Sequence, residues 1–309
     1  LLIGINKTTK GRTSLRPIDI ATISYLILMG TLILLFHPNL RHWGWDVCIH
    51  YLSSLLIYLF VRRSKRFNSP ILIFLRNWYP VLLLTPMFEE LGRITTILFP
   101  YWVEVPLMRW DHLLFGVHPT VWFGQIAHPW LTEYMEFSYF MYFLLIPIGG
   151  FPLYFRGKKE EFNKFLFNVL LAYYISFIGF LFFPARGPWE TMVDLHSAPL
   201  QGGFFLSLVR KIQSVGSIHG GCLPSSHVAA AFAILFSAKR YEKTVFWILL
   251  PIVLSLAVAV VYTRYHYAVD SLAGVAVGII CAFIGPRISR WFGGVKIEGK
   301  RSSPLAPHS

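Results

Sequence analysis

Two short segments hold the residue types and spacings that suit chemistry in this chain: Pro224-Ser225-Ser226-His227 and His266-Tyr267-Ala268-Val269-Asp270. Four positions separate His266 from Asp270. On a helix such residues share a face with Cβ atoms roughly 6 Å apart, so the carboxylate can hold one imidazole nitrogen and leave the other free to attack. The Ser-Ser-His run leads into an apolar stretch, and a helix starting there presents unpaired N–H groups and positive potential to an anion. A nitrogen nucleophile beside an anion site suits phosphoryl transfer. That reaction needs a nucleophile aligned with phosphorus, donors around the equatorial oxygens and an acid for the leaving oxygen. His266 Nε2 is the candidate nucleophile, Asp270 the group that fixes its tautomer, and His227 the candidate acid. Arg186 and Arg264 are candidate phosphate clamps through their forked donors, joined by Ser225 and Ser226.

The elements that must position these groups are membrane spans. Of 309 residues, 55% are hydrophobic and 14% charged, and the apolar residues come in runs of about 20, enough for a helix to cross the ~30 Å hydrocarbon layer. The expected fold is an all-α polytopic membrane helix bundle of about eight spans: 17–36, 44–61, 71–99, 134–155, 163–183, 223–238, 244–263 and 266–285. The third is long and interrupted by Pro80, Pro86 and the polar group Glu89, Glu90 and Arg93, so a kink or two short segments are expected there. The expected organisation is a cytoplasmic segment 1–16, one membrane domain 17–292 and a cytoplasmic tail 293–309.

A net charge of +13 would suit nucleic acid, but its distribution gives it a topological meaning. Basic residues gather in alternate connections: Lys7, Lys10, Arg12 and Arg16; Arg62, Arg63, Lys65 and Arg66; Arg156, Lys158, Lys159 and Lys164; Lys239, Arg240 and Lys243; then Arg287, Arg290, Lys296, Lys300 and Arg301. By the positive-inside rule these segments and both termini face the cytoplasm, and no nucleic-acid partner is expected. Arg186, His227, Arg264 and His266 then all lie at helix ends on the non-cytoplasmic face. The first residue is Leu, and no cleavable signal is read, because the first apolar run is long enough to remain as an anchor.

Cys48, Cys222 and Cys281 are scattered without metal-ligand or redox spacing, so neither a disulfide framework nor a metal site is expected. Cys222 reads as a small filler beside His227. The segment 100–133 mixes Trp102, Trp110, Trp122 and Trp130 with four prolines, a composition suited to short helices in the headgroup layer. His37, His50, His118 and His128 read as interfacial anchors. Charges within a span cost about 2.5–3.5 kcal/mol each on insertion scales and so tend to have partners or function. Glu89, Glu90, Arg93, Asp111 and His112 are therefore candidate groups for an acceptor pocket, with Glu-to-Arg pairing inside the third span as the structural alternative.

Pro224-Ser225-Ser226-His227 resembles the second signature of the type 2 phosphatidic acid phosphatase (PAP2) superfamily, and His266-Tyr267-Ala268-Val269-Asp270 resembles its third. The resemblance implies that His227 is the general acid and His266 the nucleophile, with a phosphohistidine intermediate, no metal and no cofactor. Two departures stand out. Val260 occupies the position of the usual arginine six residues before the nucleophile, leaving Arg264 to substitute, and Gly179 occupies the position of the usual first-signature lysine, with Arg186 followed by Gly187-Pro188. These departures, with Asp111-His112-Leu113-Leu114-Phe115-Gly116, His118-Pro119 and Trp122, resemble the branch containing inositol phosphorylceramide synthase. On this resemblance the core runs from about 107 to 285.

Three readings follow. Water resolving the phosphohistidine makes a lipid phosphatase, the favoured expectation because it needs no second binding site. A lipid, polyol or sugar hydroxyl in that role makes a phosphotransferase. A transporter or non-catalytic scaffold using Glu89, Glu90 and Arg93 is the reading from another class. The expected partners are a phospholipid or other lipid phosphate and the surrounding membrane lipids, with no obligate protein partner.

Overall fold

The structure is a computed structural model that describes residues 15–294. Lys7, Lys10, Arg12, Lys296, Lys300, Arg301 and the tail expected beyond residue 294 lie outside the described residues. The regular structure of the described residues is helical, with one isolated bridge between Ala185 and Gly221. Its α-helices are α1 Pro17–Phe36, α2 Trp43–Arg63, α3 Pro70–Leu82, α4 Leu84–Ile94, α5 Glu104–Phe115, α6 Pro119–Gln125, α7 Pro129–Phe140, α8 Tyr142–Phe155, α9 Lys159–Phe182, α10 Pro188–Thr191, α11 Phe204–Gly216, α12 Ser226–Tyr241, α13 Lys243–Tyr262 and α14 Ala268–Gly294.

Six helical stretches among the described residues are long and apolar enough to cross a membrane: α1, α2, α3 with α4, α9, α13 and most of α14. A seventh arises if α7 and α8, bent by 45°, count as one broken span. The remaining expected span, 223–238, corresponds to α12, of whose 16 residues eleven are buried among other helices. The outer faces carry exposed Leu35, Leu56, Trp247 and Phe283, an apolar exterior that suits hydrocarbon rather than water.

The break in the third span lies at Leu83, between Pro80 and Pro86. Proline offers no N–H to the carbonyl four residues back. The carbonyl that Pro80 leaves free, Arg76 O, accepts instead from the Arg16 guanidinium at 2.7 Å. Arg16 and Arg76 also surround Asp19, fully buried on α1, whose carboxylate accepts from Arg76 at 2.6 and 2.9 Å and from the Tyr79 hydroxyl at 2.8 Å. Removing one partner of such a buried pair typically costs about 3–5 kcal/mol, so this cluster fixes α1 against α3.

The centre of the bundle is α9, α12 and α14. Close approach of the last two depends on small residues: Gly274 and Gly278 on α14 face Ala229 and Ala233 on α12. A Cβ on Gly278 would stand 2.5 Å from Ala229 O, and one on Gly274 2.6 Å from Ser225 O. This small-xxx-small pair lets the two backbones touch, and it brings the starts of α12 and α14 together.

Candidate active site

Four helix ends meet at one end of this bundle: the last turns of α9 and α13 and the first turns of α12 and α14. Backbone bonds tie them. Ser225 N donates to Asp270 O at 3.2 Å, Trp189 N to Arg264 O at 2.9 Å, and Ala185 bridges Gly221.

The α13–α14 connection is a Schellman turn. Tyr265 N donates to Val260 O at 3.0 Å and Arg264 N to Val261 O at 3.0 Å, which places Arg264 where glycine is usual, with φ +69°. His266 follows, its own N–H on Val260 O at 2.9 Å. The α14 start is held by a side chain from far away: Asp111 on α5 accepts from Val269 N at 2.8 Å and Ala268 N at 3.1 Å. Asp111 is buried and both carboxylate oxygens are engaged, so it is a helix cap rather than a pocket group, a correction to the sequence reading.

Within that frame His266 Nδ1 lies 3.0 Å from Asp270 Oδ1, and Asp270 Oδ2 accepts from Tyr267 N at 3.0 Å. The His266–Asp270 contact has ion-pair distance but lies off the hydrogen-bond direction. His266 Nε2 meets His227 Nδ1 at 3.3 Å. His227 Nε2 meets the Tyr139 hydroxyl at 3.0 Å, and that hydroxyl accepts from the Gln213 amide. The two histidines expected to work together are thus in direct contact, and both Tyr139 and Gln213 are additions that the sequence reading missed. Tyr139 lies inside an expected span, where tyrosine reads as packing, and Gln213 inside a long connection; neither spacing carried a signal.

The remaining candidates are placed as follows. Ser225 caps α12, its Oγ accepting from Val228 N at 3.4 Å, and Ser226 is buried beside it. Arg186 donates through Nε to Glu104 at 2.7 Å and lies over the Trp102 ring at 5.0 Å, with its terminal nitrogens left for other acceptors. Arg264 donates to Ala198 O at 2.9 Å, while its Nε is buried without a partner. The hydrogen bonds of both arginines therefore go to groups other than the histidines. Gly179 leaves no room for the lysine of the common signature: a Cβ there would stand 2.5 Å from Pro224 Cδ. The start of α12 presses against α9 at that point.

Glu90 and Arg93 do not pair with each other. Glu90 reaches His50 at 3.2 Å and Arg93 reaches Asp46 at 3.1 Å, both on α2, so these charges join α4 to α2 and leave the acceptor role expected of them without support. His50, read as an anchor, is buried in that pair. His112 is exposed and faces His118, ring centroids 5.4 Å apart. Glu89 alone of the α4 group reaches the site, lining a largely apolar cavity of about 320 Å³ with Tyr139, Tyr142, Phe177 and His227. A second cavity of about 370 Å³ adjoins it at Gln213 and is lined by Glu136, Arg210, Ser214, Ser217, Thr263 and Arg264. One carboxylate oxygen of Glu136 is buried there without a partner.

Cys222 comes close to two of the candidate residues, its sulfur grouping with ligand atoms of His266 and Asp270 within 4.8 Å. Burial pushes its thiol well up from the ordinary value, and the thiol donates to Tyr265 O at 3.6 Å. A protonated thiol is a poor metal ligand, and Asp270 Oδ1 already stands at ion-pair distance from His266 Nδ1.

Comparison with known proteins gives the following. The sequence profile of the PAP2 superfamily matches residues 105–284. A PA-phosphatase related-family protein of Dictyostelium discoideum is 31% identical over 130 residues, 41% of this chain and 24% of that protein. The phosphoinositol dihydroceramide synthase of Bacteroides thetaiotaomicron is 26% identical over 197 residues, 57% of this chain and 61% of that protein. The chain thus spans about a quarter and three fifths of these two relatives. The crystal structure of Aquifex aeolicus LpxE matches with a TM-score of 0.43 at 20% identity, covering 58% of this chain and 93% of that one.

Proposed function

The chain belongs to the PAP2 superfamily, and from that premise we propose that it is an integral-membrane lipid phosphoesterase working through a phosphohistidine on His266. The observation that carries this reading is the Asp270–His266–His227 contact series, in which the first two are buried and His227 meets a cavity, assembled from two helix starts.

In this scheme the lipid phosphate enters between the two imidazoles, which must part, because 3.3 Å leaves no space for a phosphorus and its oxygens. His266 Nε2 bonds to phosphorus while the bond from phosphorus to the lipid oxygen breaks. His227, as imidazolium, gives its Nδ1 proton to that oxygen, a contribution of about 10²–10⁴ in rate. Asp270 holds the Nδ1 proton of His266 and balances the charge its ring acquires. The terminal nitrogens of Arg186, Nε of Arg264 and the first amides of α12 are the available donors for the phosphate oxygens. Water then attacks phosphorus, gives a proton to His227 and releases His266. The site opens on the non-cytoplasmic side, at headgroup depth, and the apolar cavity beside His227 suits an acyl chain.

A phosphotransferase is the second reading, favoured by the adjoining cavity. Its unpartnered Glu136 oxygen, arginines and hydroxyls would suit an alcohol acceptor or a polar headgroup, and one relative is named as a synthase. A rapid-quench experiment with ³²P-labelled phosphatidic acid tests the shared step. Label on a histidine in the wild type, absent in His266→Ala, is expected; turnover by His266→Ala would overturn the proposal. Free phosphate as product identifies the hydrolase, a new phosphodiester the transferase.

A further inference from the structure

We infer that Tyr139, with Gln213 behind it, is the positioning residue for the acid–base histidine, selecting which nitrogen of His227 faces the reaction. The inference rests on the catalytic reading above. Its basis is the hydrogen-bond series running from Gln213 through Tyr139 and His227 to His266, which ends on the ion-pair contact of His266 with Asp270.

The proton positions follow from what each group can do. Asp270, ionised, only accepts, and its second oxygen is taken by Tyr267 N, so His266 carries its proton on Nδ1. Nε2 of neutral His266 is then an acceptor, and His227 Nδ1 must donate to it. That leaves His227 Nε2 as an acceptor, which the Tyr139 hydroxyl fills, while the Tyr139 oxygen accepts from the Gln213 amide. Every heteroatom in the resting series has one role, and the proton of His227 sits on the nitrogen facing the nucleophile. Tyr139 is almost fully buried and its ring lies tilted against the imidazole with centroids 5.3 Å apart, so packing as well as the hydrogen bond orients His227.

The working histidine needs the opposite polarity at Nε2. As imidazolium, His227 donates from both nitrogens, to the leaving oxygen from Nδ1 and to Tyr139 oxygen from Nε2. A hydroxyl serves either way, and a glutamine carries both a donor and an acceptor, so turning its amide reverses the series without moving a charge. After Nδ1 gives up its proton, the neutral ring keeps its proton on Nε2, and Nδ1 is the lone pair that takes a proton from water. Tyr139 never changes its own protonation. The other titratable groups around His227 are Tyr142, with ring centroids 4.4 Å apart, and Glu89 and Tyr173 across the shared cavity. None of these has a hydrogen bond to the imidazole among the described residues.

The test uses the full chain in nanodiscs. Tyr139→Phe and Gln213→Leu are assayed on phosphatidic acid, whose alkoxide needs a proton to leave, and on p-nitrophenyl phosphate, whose leaving group does not. Tyr139→Phe is expected to lower kcat on phosphatidic acid about 10- to 100-fold, a fraction of the full general-acid contribution. KM should change less than about threefold, and phosphohistidine formation from p-nitrophenyl phosphate, read as the rate of the p-nitrophenol burst, should be nearly unaffected. Gln213→Leu should show the same pattern, more weakly. Without an acceptor at Nε2 the imidazolium loses its proton at lower pH, so the alkaline limb of the profile should move down.

Equal losses in the phosphohistidine-forming step on both substrates would make Tyr139 merely structural and overturn the inference, even with the phosphohistidine in place. A resting-state measurement needs no turnover: histidine ¹⁵N shifts should show neutral His227 protonated at Nδ1 in the wild type, with Nε2–H gaining in Tyr139→Phe. A wild-type ring protonated at Nε2 would also overturn it. Full activity of His227→Ala on phosphatidic acid would sink the catalytic reading itself, a separate outcome.

Discussion

Arg264 occupies a backbone conformation that glycine would fill without steric cost. Its φ of +69° completes the Schellman turn leading into His266, and an L-residue there costs about 1–2 kcal/mol. Retaining arginine at such a position is strain kept next to chemistry, and the buried, unpartnered Nε shows that part of the guanidinium is not used in folding. Arg264→Gly is therefore expected to preserve the turn, raising the melting temperature above that of Arg264→Ala by the equivalent of about 1 kcal/mol, while both lose lipid-phosphate turnover about tenfold or more. Thermal unfolding in detergent beside kinetics reads both quantities. An Arg264→Gly protein of wild-type activity would remove Arg264 from the phosphate site. Cys222 and Gly179 teach the same lesson: each is explained by what touches it, the Tyr265 carbonyl in one case and Pro224 in the other.

Among the elements, the α12–α14 pair determines whether the two histidines meet at all. The backbones touch because Gly274 and Gly278 have no side chains, and the neighbouring Ala229 and Ala233 are fully buried. Gly278→Val would put methyl groups where Ala229 O already stands. Overpacking of this kind costs about 1–3 kcal/mol and would shift α14 away from α12. We expect a lowered melting temperature together with loss of phosphohistidine formation, whereas Gly44→Ala, which meets nothing within 4 Å, should leave both unchanged. Equal behaviour of the two variants would refute the packing argument. The short helix α5 acts on the same pair from outside, since its Asp111 fastens the first turn of α14.

In the molecule as a whole, charge is separated along the bundle axis. The end opposite the histidines holds the Asp19 cluster and the Glu242 pairs, where Glu242 accepts from Arg156 at 2.7 Å and Lys158 at 2.5 Å. These ion pairs engage part of the basic surplus that the positive-inside rule reads as cytoplasmic. Sidedness follows as a prediction. In a Cys48→Ala background, a cysteine at Val215, 86% exposed at the histidine end, should react with a membrane-impermeant thiol reagent from the non-cytoplasmic side. One at Lys239 should react only after permeabilisation. The reverse pattern would invert the proposed orientation.

The meeting of His227, His266 and Asp270 was legible in the amino-acid order because their spacing is written locally, in a helix start and an i, i+4 pair, and the apolar runs announced an all-α bundle because hydrocarbon admits few other structures. The polar groups of the third span were legible as anomalies, yet their partners were not: Glu90 and Arg93 turn to His50 and Asp46 on α2. Tyr139, Gln213 and Asp111 acquired their roles from groups 74 to 158 residues away in sequence, the farthest being Val269 from Asp111. Which face a helix turns inward depends on how small residues let its neighbours approach, and that is a property of packed surfaces rather than of spacing along one strand of chain.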